Sequence, residues 1–137
     1  MALLVVVALL GCASEDPDSE ALPVGEWTEL VAGDWTLDPG EEKYICAKKT
    51  LTHAAHVNGF RPIAPAGTHH TVLSITSPPG PDGVAPCNGA VDGHQILFAT
   101  GLGTSELTLP DGVAATVPAG TQLLMNLHLV NATPQPL

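Results

Sequence analysis

Thr68-His69-His70-Thr71-Val72-Leu73-Ser74-Ile75-Thr76, followed at once by Ser77-Pro78-Pro79-Gly80-Pro81-Asp82-Gly83, is the stretch that decides the fold. Its first part is β-branched and apolar around a histidine pair, the composition of a strand. Its second part cannot extend that strand, because Pro78, Pro79 and Pro81 offer no backbone N–H and the glycines favour turns. The same alternation of strand and turn repeats outward. Toward the C-terminus, residues 95–100, 105–109 and 113–117 read as short strands between glycines, and 121–130 as the longest apolar strand, with His128 inside it. Toward the N-terminus, residues 26–31, 34–37, 42–51 and 53–63 read as strands, with Asp38-Pro39-Gly40 a turn. No stripe of helical period follows residue 12. Many short strands about 8–15 residues apart predict an all-β antiparallel sandwich of jelly-roll type.

The chain has 137 residues, the length of one domain. It is 45% hydrophobic and 13% charged, enough to pack a core and unlike a disordered acidic tail. A net charge of -10 with four basic residues repels phosphate backbones, so no nucleic acid is expected as a partner.

Residues 2–10 form an apolar run far shorter than the roughly 20 residues that span a bilayer. The run closes on Leu9-Leu10-Gly11-Cys12, which resembles a bacterial lipobox. Residues 1–12 are then a lipoprotein signal peptide with Cys12 as the lipidated residue, although the usual basic n-region is missing. The acidic, proline-containing residues 13–24 follow as a tether, and 25–137 as the domain. A plain secretory signal with an incidental cysteine is the alternative. The expected location is the bacterial cell envelope, with membrane contact only through the lipid. Setting Cys12 aside leaves Cys46 and Cys87, an even pair in an oxidising compartment and so an expected disulfide. Two buried free thiols are the competing reading.

Six histidines are present: His53, His56, His69, His70, His94 and His128. In a regular strand, neighbours point to opposite faces. His69 and His70 can therefore share an ion only if the strand bulges or lies at an edge. Imidazole suits copper, zinc, iron or nickel. His128, in a long strand that can lie alongside, is the best third ligand. Spacing alone leaves this level with a plainer account, in which the pair is a polar strand end and His128 a hydrogen-bonded strand residue.

A set of short motifs shifts that balance. In chain order they are Tyr44-Ile45-Cys46, Phe60-Arg61-Pro62, Thr68-His69-His70-Thr71-Val72-Leu73, Cys87-Asn88-Gly89, Ile96-Leu97-Phe98-Ala99, Leu109-Pro110-Asp111-Gly112-Val113 and Leu127-His128-Leu129-Val130-Asn131. Together they resemble the N-terminal copper domain of the copper type II, ascorbate-dependent monooxygenases, the family of peptidylglycine α-hydroxylating monooxygenase and dopamine β-monooxygenase. The resemblance implies a β-sandwich with one all-histidine copper, bound through the δ nitrogens of His69, His70 and His128 in a T-shape. It also pairs Cys46 with Cys87, while another family cysteine, shortly after the histidine pair, is absent here.

In that family ascorbate is the external reductant and the N-terminal copper supplies an electron. A second copper, on two histidines and a methionine of the C-terminal domain, serves dioxygen activation and C–H hydroxylation. The sequence holds no candidates for that second site and ends six residues after Asn131. A sandwich without its closing strand is therefore expected, with no catalytic residues of its own and a C-terminal copper domain as partner in cis or in trans. The runner-up is a stand-alone copper-binding envelope lipoprotein, and behind it a metal-free adhesion or assembly module. His53, His56 and His94 match no ligand position. Met125 reads as core packing, and Gly101-Leu102-Gly103 as a turn rather than a nucleotide fingerprint.

Overall fold

Strand β9 (Gln122–Val130) organises the molecule. Its odd residues Leu123, Met125, Leu127 and Leu129 are apolar, and its even residues Gln122, Leu124, Asn126 and His128 are mostly polar. With a side-chain period of two, this places the two sets on opposite faces. In the computed structural model, which describes residues 27–90, 94–101, 103 and 106–137, β9 is the centre of a five-stranded antiparallel sheet. It is flanked on one side by β1 (Glu42–Thr50), with β5 (Gly83–Pro86) beyond it. On the other side lie β4 (Thr68–Ile75) and then β6 (Gln95–Thr100).

Two small sheets form the second layer, β2 (Ala55–Val57) with β8 (Ala115–Val117) and β3 (Gly59–Phe60) with β7 (Leu107–Thr108). Leu123 packs there against Leu51, Ala55, Val57, Phe60 and Val117. Further along the same face, Leu127 and Leu129 pack with Ile45 and Leu37. The core is thus one apolar face of the large sheet, covered by the small sheets at one end and by the segment around Leu37 at the other. The all-β antiparallel sandwich is as expected, and so is the Cys46–Cys87 disulfide, which ties β1 to the end of β5 with Cα atoms 5.8 Å apart.

Several element boundaries differ from the sequence reading. Residues 27–38 form no strand. Leu37 instead exchanges both backbone hydrogen bonds with Leu137, at 2.8 and 2.9 Å. The expected strand at 53–63 breaks into β2 and β3, because the carbonyl of Asn58 accepts from Leu109 N–H and the chain changes partner from β8 to β7. β8 starts two residues later than expected, after a turn in which Val113 N–H donates to Pro110. β5 was not anticipated; it is an edge strand, where Pro86 costs no ladder bond. Residues 1–24, where the sequence leads one to expect a signal peptide ending at a lipidated Cys12 and then a tether, lie outside the described residues.

Candidate metal centre

The site begins with a turn. Gly67 has φ 97°, a conformation that favours glycine, and Thr68 N–H closes the turn on the Pro65 carbonyl. The Gly67 carbonyl then accepts from Val130 N–H at 2.8 Å, fixing the end of β4 on β9. Immediately afterwards the register slips. Thr68 lies opposite Leu129 and His70 opposite His128, so His69 is an extra residue with no partner of its own. This is a β-bulge, the irregularity that lets two consecutive side chains share one face.

The three rings meet as a result. His69 Nδ1 lies 3.0 Å from His70 Nδ1, and His70 Nδ1 lies 3.4 Å from His128 Nδ1. Ring centroids are 4.8 to 5.3 Å apart, with planes inclined by 62 to 74°. One ligand atom from each residue falls within 4.8 Å of the others. With metal–nitrogen bonds of about 2.0 Å, two donors on one ion stand about 2.8 Å apart at a right angle and about 4 Å apart when opposed. The two Nδ1–Nδ1 separations fall in that range, and with the third donor close by, His69, His70 and His128 could hold one metal ion. Among the described residues this is the one group of three such side chains that could.

Proton bookkeeping favours the same conclusion. His128 Nε2 lies 2.7 Å from Glu42 Oε1, and against an ionised carboxylate, which can only accept, that nitrogen must carry the proton. In the neutral ring Nδ1 is then a bare acceptor facing His70. A single N–H on His70 Nδ1 can satisfy only one of its two nitrogen neighbours, whereas an ion would take all three lone pairs. Burial, reinforced by the nearby His128 and His69, holds the His70 pKa below its usual value and so favours the neutral, ligating form. His128 is buried, His70 half-buried and His69 exposed, so the cluster is reached from solvent past His69.

Behind the rings stands a column of support. Tyr44, opposite His128 on β1, stacks on its ring with centroids 4.3 Å apart and planes 6° from parallel. Gly89 backs Tyr44 so closely that a Cβ there would come within 2.9 Å of the phenol ring. The Gly89 loop is tied down by the Cys46–Cys87 disulfide and by Asn126 Nδ2, which donates to the Asn88 carbonyl at 2.9 Å. Glu42 and the stacking role of Tyr44 were not read from the sequence. Their signal is the period of two that puts residues 42 and 44 on one face of β1.

The remaining histidines stay apart from the cluster. His56 meets Thr116 Oγ1 at 3.1 Å, and His94 meets Ser74 Oγ at 3.4 Å. Met125 packs into the core beside Leu127 and Leu129, as expected. Compared with known proteins, the chain matches no family model and no curated protein.

Proposed function

We propose that the chain binds one copper ion through His69, His70 and His128 and serves as the electron-transfer, N-terminal half of a copper- and ascorbate-dependent monooxygenase. The observation that carries this reading is the bulge at His69, which turns a sequence-adjacent pair into two converging Nδ1 donors opposite a third. The ordered motifs supply the choice of copper among the metals that imidazole suits. When bound, copper would supply a one-electron couple that ascorbate can reduce. The chain's own residues do the rest. The histidines provide the donors, Tyr44 and the Gly89 loop hold the buried ring in place, and exposed His69 leaves the centre open to an electron partner. Substrate and dioxygen belong, on this reading, to a C-terminal copper domain. The disulfide suits an exported protein, in keeping with a lipid-anchored place in the bacterial envelope.

All three donors come from this one chain, which equally suits a stand-alone copper-binding lipoprotein. Copper titration of the chain beside His69→Ala, His70→Ala and His128→Ala variants tests the shared core of both readings. One equivalent should bind tightly, be reduced by ascorbate and weaken in each variant. Equal, negligible affinity in all four proteins would leave only a metal-free envelope module. Hydroxylation by this chain alone would contradict the division of labour. A downstream reading frame carrying His-x-His and a later Met separates enzyme half from stand-alone binder.

A further inference from the structure

We propose that Glu42 is a positioning residue for the metal centre: its carboxylate fixes the tautomer of His128 and biases the site toward the more highly charged state of the ion. This rests on the copper reading above. Glu42 opens β1 and lies two residues before Tyr44, on the face that carries His128. Its Oε1 accepts from His128 Nε2–H at 2.7 Å, a charge-assisted distance. His128 is the most enclosed of the three ligands, with its side chain 10% exposed, while Glu42 is 63% exposed. The carboxylate is thus at the solvent boundary, and among the described residues its side-chain bond is to the outward nitrogen of the His128 ring.

Two consequences follow from the chemistry. A neutral imidazole carries one proton, so holding it on Nε2 leaves the Nδ1 lone pair aimed at His70. A carboxylate on the far nitrogen also makes the ring a stronger donor, and a stronger donor favours Cu(II) over Cu(I). His69 and His70 make no such contact to a carboxylate among the described side-chain bonds, so this influence enters through His128.

The test compares the full chain with Glu42→Gln and Glu42→Ala. Glutamine can still accept the Nε2–H bond but carries no charge; alanine removes both. Nitrogen-15 spectra of the metal-free protein should show His128 protonated at Nε2 in the parent and in Glu42→Gln, and mixed tautomers in Glu42→Ala. Cu(II) affinity should fall about 10- to 100-fold in Glu42→Ala. Glu42→Gln should lose Cu(II) affinity selectively over Cu(I), raising the reduction potential by about 59 mV for each ten-fold difference. Wild-type tautomer, affinity and potential in both variants would overturn the role of Glu42 while leaving the copper site standing. A parent chain that binds no copper would sink both readings together.

Discussion

His70 and His128 lie directly across from one another on β4 and β9, and the residue before His70 has no residue opposite it on β9. The cross-strand pair supplies two donors that any antiparallel ladder could offer. The third exists only because the ladder is broken one residue from its end. The metal-binding capacity is therefore a property of backbone register, and the residues that set the register should matter as much as the ligands.

Gly67 is the residue that sets it. Its φ of 97° is strained for any L side chain, and a Cβ would come within 3.0 Å of Leu37 Cδ1 and the Trp35 ring. Gly67→Ala should cost about 1–3 kcal/mol of stability. It should also weaken metal binding although no ligand has been touched. Urea unfolding and copper titration on the same protein check both, and a variant with parental values in both would show that the bulge does not depend on this turn.

His70 gives the metal-free protein a pH dependence of known sign. Its folded pKa lies below the usual 6.5, chiefly through burial. As pH falls, the unfolded chain therefore takes up a proton before the folded one does. Stability is full above the unfolded value and declines as pH drops from about 6.5 toward the folded value. Urea midpoints at about pH 7.5 and about pH 5 should differ less in His70→Asn than in the parent.

Gln122 pins the proline-rich loop to the sheet. Its buried side chain accepts from Gly80 N–H at 2.9 Å and donates to the Gly80 carbonyl and to Asp82 Oδ1 at 2.6 and 2.7 Å. Asp82 in turn accepts from Thr50 N–H, and these bonds hold its carboxyl below the usual carboxylate range. Gln122→Leu should cost about 1–3 kcal/mol, since the Gly80 groups lose their partner. Protease nicking within residues 77–82 should increase, and an unchanged digestion pattern would count against the pinning.

What the sequence made legible, and what it hid, divides along the line between local and paired information. β4, β6 and β9 were readable because β-branched runs and period-two alternation are written in the strands themselves. β5 was not, since Gly83-Val84-Ala85-Pro86 carries no strand composition and owes its pairing to β1 and the disulfide. The histidine set was approachable because the adjacent pair could share an ion only at a bulge or a strand edge, and the Pro/Gly turn before it marked such an irregular strand end. Glu42 was legible only in part: period two puts it on the face of Tyr44, but that it meets His128, 86 residues away in sequence, depends on the register of two strands, which no single stretch records.

The Cys46–Cys87 disulfide should act on the metal centre as well as on stability. It closes a loop of 41 residues, and removing the link should cost about 4 kcal/mol through the entropy of the unfolded chain. Reduction also removes one of the ties that hold the Gly89 loop to the sheet, beside the Asn126 bond to the Asn88 carbonyl, and so loosens the surface that backs Tyr44 against His128. Cys87→Ser alone cannot separate these effects, because a less stable protein binds more weakly for general reasons. Gly89→Ala can. It keeps the disulfide, yet places a Cβ 2.9 Å from Tyr44 Cε1, so the phenol must shift or tilt against the imidazole. The ring-current shift of the His128 protons reports that movement directly. Both variants should move it, Gly89→Ala with a smaller loss of stability than Cys87→Ser. Unmoved His128 protons in Gly89→Ala would mean that Tyr44 holds its stack without the loop, leaving the disulfide a purely global role.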